Sequence, residues 1–195
     1  MFDLILDGNE AMYAMAAKLG YKGLRVMGLQ KNTSYKTLRL LIANNFPTQS
    51  VWTIAKSTPE DRARIESGKI RLLYGLESVH KYDKLHFRNS NLNQVICKLL
   101  QQKDIIVCFD FSLILKSNGV QRSIYLGRMQ QNVTLCRKYK VPMAIASFAK
   151  TPYELRNPKD LISFGIVLGM HPLEAACALT LIGTPTDTAP DQSHV

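Results

Sequence analysis

The sequence predicts an α/β protein built as a TIM-like (β/α) barrel with about seven parallel strands. Short β-rich runs alternate with helical patterns from the first residue onward, and such alternation favours a parallel sheet with helices outside it. The chain has 195 residues with 46% hydrophobic content, enough for one core but short for an eight-fold barrel of about 250 residues. We therefore predict a single barrel domain over residues 1–182 and a disordered Thr-, Pro- and Asp-rich tail over 183–195.

In the N-terminal half, local composition predicts each element in turn. Residues 9–19 are rich in Ala and Met and precede a glycine, which is typical of a helix end. A second helix is predicted over 33–45 from its apolar Leu and Ile positions. A third helix opens with Thr58 as N-cap and Pro59 in the first helical position. Strands are predicted between and after these helices, at 2–6, 23–29, 51–55 and 70–74, with a short one at 84–87.

The C-terminal half continues the alternation. Residues 91–102 and 123–139 place apolar side chains at helical spacing, and the second of these is the longest predicted helix. A capping box at 151–154 predicts a short helix, and proline opens each of two further helices, at 158–168 and 172–181. Buried strands are predicted at 105–109 and 142–146.

Positive charge is concentrated in the middle of the chain. The formal net charge is +10, yet residues 31–150 hold twenty basic side chains against seven acids. Residues 111–153 hold seven bases and no acid. A surface that meets a polyanion such as nucleic acid explains this better than solubility alone, which is the simpler alternative.

Composition also bounds the compartment. The four cysteines stand singly with no CxxC pair, which is typical of reduced thiols in a cytoplasmic protein. No apolar run approaches the roughly 20 residues that span a bilayer, and the N-terminus lacks the pattern of a signal peptide. We expect a cytoplasmic protein with no membrane partner.

The sequence contains no recognisable catalytic motif. Its four histidines are scattered, and no phosphate-binding loop, dinucleotide fingerprint or nucleophile elbow is present. Asp3, Asp7 and Asp110 stand at strand ends and could meet at one mouth of a barrel, where catalysis usually takes place. A metal-dependent phosphoesterase is therefore the main alternative function. Otherwise we assign no catalytic residue, no metal ligand and no cofactor to this chain.

The strongest candidates for RNA contact lie on, or directly before, two predicted helices. Arg88 precedes the helix over 91–102, whose free N–H groups could help it to bind a phosphate, although a simple cap by Asn91 explains the same residues. Bases at the end of the long helix also suit its dipole. The RNA-binding candidates are Arg88, Lys98, Arg122, Arg128, Arg137 and Lys138.

Several motifs resemble one protein family. The most specific is RSIYLGRMQQNVTLCRKYKVP at residues 122–142, supported by YGLE at 74–77, residues 88–99, SFA at 147–149, ELRNP at 154–158 and LGM at 168–170. Together they resemble ribonuclease P protein component 3, the archaeal counterpart of the thirty-kilodalton eukaryotic subunit. One departure is Asn91, where related sequences usually have glycine, which leaves the backbone geometry of the Arg88 loop open.

The resemblance implies a fold and a role. The fold would be a barrel related to polymerase-and-histidinol-phosphatase hydrolases, without their histidine-rich metal site. The role would be to help a catalytic RNA to remove 5′ leaders from precursor tRNA, with the RNA performing hydrolysis with Mg²⁺. The implied partners are the catalytic domain of that RNA, precursor tRNA, and protein component 2 in a heterotetramer. An adaptor that binds only protein remains a third alternative.

Overall fold

The structure, a computed structural model, describes residues 1–28, 36–41 and 52–183. Within these ranges one sheet contains seven strands in sequence order. The strands are β1 (Phe2–Ile5), β2 (Gly23–Gly28), β3 (Lys36–Leu41), β4 (Trp52–Lys56), β5 (Leu72–Tyr74), β6 (Ile106–Asp110) and β7 (Met143–Ala146). The predicted C-terminal tail lies almost wholly outside the described residues.

The expected closed barrel of parallel strands needs correction. Strands β1 and β2 are parallel, as are β4 through β7, but β3 runs antiparallel to both of its neighbours. No ladder pairs β1 with β7 in the described part of the chain. Two backbone hydrogen bonds do join these edges. The Phe148 N–H donates to the Leu4 carbonyl and the Leu6 N–H donates to the Ala149 carbonyl, each over 2.9 Å. The sheet is therefore an open α/β sheet whose edges approach each other at one point.

Strand β3 also shows that the helix predicted over residues 33–45 is wrong. Five of its residues pair with β2, from Leu24 opposite Leu41 to Gly28 opposite Thr37. Three further pairs join β3 to β4. Strand pairing on both sides outweighs the weak helical spacing of the leucines, because β structure depends strongly on tertiary neighbours. This antiparallel strand replaces one of the expected strand–helix units.

Seven α-helices occur in the described residues, and one of them was not predicted. They are α1 (Glu10–Lys18), α2 (Asp61–Glu66), α3 (Gln94–Gln102), α4 (Phe111–Lys116), α5 (Gly119–Tyr139), α6 (Pro158–Val167) and α7 (Pro172–Thr180). The unpredicted helix α4 follows β6 directly, and the Asp110 side chain caps it by accepting from the N–H of Leu113 over 3.3 Å. Its apolar sequence has no turn residue to separate it from the strand.

Three further local predictions differ from the structure. Helix α2 begins three residues after the predicted N-cap Thr58. The capping box at 151–154 forms a single 3₁₀ turn, Pro152–Glu154, instead of a helix. The predicted strand over 84–87 is a loop, closed by a 3.0 Å hydrogen bond from the Lys84 N–H to the Phe87 carbonyl.

Strands β5, β6 and β7 are largely buried on both faces. Alternate strand residues such as Leu73, Val107 and Ile145 pack against the helices. The opposite face holds a second apolar cluster, in which the rings of Tyr74 and Phe148 stack with centroids 4.7 Å apart. Helices α3 and α5 pack side by side, and the loop before α3 lies against α5.

Candidate nucleic-acid interface

The three acids at strand ends do not meet at one site. Asp7 and Asp110 line a cleft of about 610 Å³ at the carboxyl ends of the strands, together with Lys56 and Lys150. Asp3 lies outside this lining and is fully buried, where it accepts hydrogen bonds from the N–H groups of Ser147 and Leu4. Among the described residues, no three His, Cys, Asp or Glu side chains are placed to hold a metal ion. The geometry therefore lends the phosphoesterase alternative no support.

Burial raises the pKa values of two of these acids, Asp3 and Asp110. Burial raises the pKa of Asp3 to about 6, against the opposing effect of its hydrogen bonds to Ser147 and Leu4. Burial likewise raises the pKa of Asp110 to about 6, although that carboxylate also caps α4. Both groups have hydrogen-bonding roles inside the fold, which is the ordinary explanation for a buried carboxylate.

Arg128 is the centre of a buried polar network between α5 and the loop that precedes α3. Its side chain is 0% exposed. Its Nε donates to Asp83 Oδ1 over 2.7 Å, and its Nη1 donates to the carbonyl oxygens of Glu77 and His80 over 2.7 and 2.6 Å. A guanidinium in this position cannot reach a phosphate, so the structure argues against the expected RNA contact by Arg128. Its contacts instead hold residues 77–83 against α5.

A second set of contacts extends the same network. Asn132 donates to Glu77 Oε1 over 2.7 Å and accepts from the Ser90 hydroxyl over 2.6 Å. Both Glu77 and Asn132 are almost fully buried. Burial raises the pKa of Glu77 to about 7, more than its hydrogen bonds and the nearby Arg128 lower it. The network thus fixes both ends of the loop from Glu77 to Ser90 to one face of α5.

The guanidinium of Arg88 lies over the backbone of α5. A methyl group at Gly127 would overlap that guanidinium, so the absence of a side chain at Gly127 makes room for Arg88. The Gln131 side chain donates to the Arg88 carbonyl over 3.0 Å and fixes its backbone. Arg88 is nevertheless exposed, and it can present its charge to solvent from a defined position.

The turn between Arg88 and α3 depends on two asparagines. Asn91 has a φ of 56°, the left-handed conformation that glycine adopts freely and asparagine tolerates. The Asn91 amide also donates to the Thr58 carbonyl over 2.9 Å and to Asp61 Oδ2 over 3.1 Å. The helix cap is Asn93 and not Asn91, because the Asn93 side chain accepts from the N–H groups of α3. Asparagine therefore preserves the turn where relatives were expected to use glycine.

The remaining RNA-binding candidates are all exposed. Lys98 lies on α3, and Arg122 near the start of α5 donates to the Ser117 carbonyl over 2.7 Å. Arg137 pairs with Glu174 at 2.6 Å and donates to the Gly169 carbonyl, and that pairing raises its pKa. Lys138 lies 5.6 Å from the ring centroid of Tyr139. All four side chains can donate hydrogen bonds to a phosphate, but the guanidinium of Arg137 is also paired with Glu174.

Sequence reasoning missed the most exposed part of this region. Tyr82, Leu85 and Phe87 project from the loop with 68%, 93% and 59% of their surface accessible. The signal was present in the sequence, where apolar residues alternate with Lys81, Lys84 and Arg88. The sequence analysis instead predicts a short strand over 84–87.

One general property follows from the helices. None of those in the described residues combines the length and the apolar character that crossing a bilayer requires. The fold and its surface together define an α/β protein that displays basic side chains around its longest helix and does not gather its strand-end acids into one cluster.

Comparison with known proteins identifies the family. Residues 79–183 match the family described as "RNase P subunit p30". The chain belongs to this family, as the motifs around α5 had predicted. The match covers more than half of the chain. It includes all six RNA-binding candidates and, apart from Glu77, the network around Arg128.

Several similar proteins carry the name "Ribonuclease P protein component 3", and three of them illustrate the match. The protein of Methanococcoides burtonii is 29% identical over 120 residues, covering 62% of this chain and 46% of the relative. That of Methanosarcina mazei is 30% identical over 122 residues, covering 63% and 48%. That of Thermococcus gammatolerans is 32% identical over 92 residues, covering 47% and 43%. The matches thus span about half the length of these curated relatives.

A solved structure shows a similar fold. A chain in the "cryo-EM structure of archaeal Ribonuclease P with mature tRNA" superposes with a TM-score of 0.59 and 19% sequence identity. The superposition covers 90% of this chain and 85% of that one. At this identity the likeness establishes the shared fold.

Proposed function

We propose that this chain is a non-catalytic protein subunit of an archaeal-type ribonuclease P, in which a catalytic RNA removes 5′ leaders from precursor tRNA. The observation that carries the proposal is the overlap between the family match at 79–183 and the acid-free basic stretch at 111–153. The family match supports membership of a ribonuclease P assembly, and the positive charge supports contact with RNA phosphates.

The task is to neutralise phosphates so that RNA segments and substrate can approach one another. Lysine and arginine at an RNA backbone displace condensed counterions, which makes the binding strongly dependent on salt. The RNA would perform the hydrolysis with Mg²⁺, and this chain would bind no cofactor. The partners in this proposal are protein component 2, in a heterotetramer, the catalytic domain of the RNA, and precursor tRNA.

Within this proposal, Arg88, Lys98, Arg122, Arg137 and Lys138 contact RNA phosphates. Arg128 affects RNA binding indirectly, because it is a positioning residue that holds the loop carrying Arg88. The buried network explains how a charge on a loop can occupy a fixed position, which lowers the entropy that binding must overcome.

RNA binding by the purified chain tests the electrostatic part of the proposal. We expect its affinity for the catalytic domain of the RNA to fall steeply between about 50 and 200 mM salt. Lys138→Ala should weaken binding and make the slope of log K against log salt shallower by about 1. Lys18→Ala, an exposed lysine on α1 in the charge-balanced N-terminal region, is the matched control. Salt-independent affinity would favour the protein-only adaptor.

Gly127→Ala tests whether the position of the Arg88 guanidinium against Gly127 matters for RNA binding. The added methyl group must displace the flexible guanidinium, so we expect about a tenfold loss of RNA affinity, or roughly 1.4 kcal/mol. Stability should stay level or rise by up to about 1 kcal/mol, because alanine is a better helix former than glycine. Filter binding and denaturant unfolding measure the two effects.

A double-mutant cycle supplies the control for Gly127→Ala. Arg88→Ala should weaken RNA binding to a similar extent, and the two changes together should weaken it no further. Additive losses would mean that Gly127 acts on RNA independently of Arg88. A stability loss above about 1 kcal/mol would mean that Arg88 cannot leave its position, contrary to this account.

A further inference from the structure

The loop over residues 81–88 exposes an unusual amount of apolar surface. Tyr82, Leu85 and Phe87 fall within six residues, and each is more than half exposed. Single exposed apolar residues are normal, but three within one short loop favour a binding surface. Two of the three are aromatic, and their rings stand on the solvent side of the network that holds the loop.

This loop is anchored at several points. Asp83 accepts from buried Arg128 and from the Asn89 N–H over 2.9 Å. The Lys84 N–H donates to the Phe87 carbonyl, which closes the tip. The exposed rings are therefore presented on a positioned loop and not on a free segment of chain.

The charge around these rings points to a polyanion. Lys81, Lys84 and Arg88 are exposed, whereas the only acid of the loop, Asp83, is bound by Arg128. The Lys81 ammonium lies 5.1 Å from the ring centroid of Tyr82. Alternating aromatic and basic side chains suit unpaired nucleic acid. Nucleobases can stack on the rings while the backbone phosphates contact the cations.

We propose that the 81–88 loop binds an unpaired segment of RNA, with nucleobases stacked on Tyr82 and Phe87 and phosphates on Lys81, Lys84 and Arg88. The proposal rests on the proposed function, since the RNA would belong to the same ribonucleoprotein. It adds a recognition of single strands that phosphate contacts alone do not give. A protein partner is the competing occupant, and the positive charge of the loop argues for RNA.

Oligonucleotide binding by the full chain tests this inference. The probes are a fluorescent 12-mer of unstructured RNA and a 12-base-pair RNA duplex. Stacking on one aromatic side chain contributes about 1–3 kcal/mol per base, so Tyr82→Ala should weaken binding of the single strand at least about fivefold. The same substitution should change duplex binding by less than about twofold, and Phe87→Ala should behave alike. Tyr82→Phe should retain the affinity, because the ring remains.

Two further variants make the result specific. Tyr153→Ala removes another exposed aromatic ring outside this loop and should leave single-strand affinity unchanged. Tyr82→Trp introduces an indole whose fluorescence should be quenched when a nucleobase stacks on it. This readout does not depend on an alanine variant remaining folded.

The outcomes separate this inference from the proposed function. Unchanged single-strand affinity in both alanine variants, or an unquenched Tyr82→Trp, would overturn the stacking proposal while salt-dependent binding to the catalytic RNA still supports the subunit role. No binding of wild type to any RNA would overturn both. Loss of component 2 binding with RNA affinity intact would assign the loop to a protein partner and overturn the proposal.

Discussion

Replacing Arg128 with alanine is expected to lower the free energy of unfolding by about 3–5 kcal/mol. The guanidinium is fully buried and makes hydrogen bonds with the Asp83 carboxylate and with two backbone carbonyls. Its removal leaves those carbonyl oxygens without their donor and Asp83 without its counter-charge. Such losses are larger than the net contribution of an exposed pair. Urea unfolding monitored by circular dichroism measures the change.

The control for Arg128→Ala is Lys138, a basic residue of the same helix whose side chain is exposed to solvent. Lys138→Ala should change stability by less than about 0.5 kcal/mol. Arg128→Lys should be intermediate, because one ammonium cannot reproduce the fork of the guanidinium. We also expect Arg128→Ala to increase proteolysis between residues 77 and 90. A loss below about 1 kcal/mol, with unchanged proteolysis, would contradict the role of Arg128 in holding this loop.

The second large effect is a gain of stability on mild acidification. The pKa of Glu77 is raised to about 7, and those of Asp3 and Asp110 to about 6, mainly by burial. An acid whose pKa is raised on folding binds more protons in the folded state, so stability falls as pH rises between the unfolded and folded pKa values. The chain should be more stable at pH 5.5 than at pH 7.5 by roughly 3 kcal/mol.

Acids with lowered pKa values do not cancel this effect. The Asn89 N–H and Arg128 hold the pKa of Asp83 below its ordinary value, and Arg137 does the same for Glu174. The stability that they contribute is present above the unfolded pKa and is lost only as pH falls through the still lower folded value. That range lies below pH 5.5.

Glu77→Gln isolates the largest contribution. Glutamine mimics the protonated carboxyl and can keep an oxygen acceptor for Asn132, so the variant should be more stable than wild type at pH 7.5. The difference between pH 5.5 and 7.5 should shrink by more than half. Denaturant unfolding at both pH values measures this, with exposed Glu60→Gln as the control. A wild-type chain more stable at pH 7.5 than at pH 5.5 would contradict the assignment of buried, raised-pKa acids.

The elements that sequence reasoning predicted well are those with strong local signals. Helix α5 carries an apolar stripe over several turns, and α6 and α7 each open with proline. Strand β3 was missed because its direction and pairing depend on β2 and β4, which lie elsewhere in the sequence. The open sheet follows from the same cause.

The sequence predicted where the basic surface lies, but not which of its basic residues are buried and which are exposed. Charge counting located the basic surface, yet it could not separate buried Arg128 from exposed Arg122 six residues earlier. Burial depends on Asp83 and on the carbonyls of a distant loop, which local sequence does not reveal. Likewise, the seat that Gly127 provides for Arg88 becomes visible only when α5 and the loop are side by side.

Cleavage of precursor tRNA at limiting Mg²⁺ tests the central claim most directly. The reaction contains the catalytic RNA and component 2, with and without this chain, and compares wild type with Arg88→Ala, Arg137→Ala and the control Lys18→Ala. Our account predicts that the chain raises the cleavage rate, that both arginine variants stimulate less at low Mg²⁺, and that Lys18→Ala behaves as wild type. If a folded wild-type chain leaves the rate unchanged, the proposed role in ribonuclease P is contradicted.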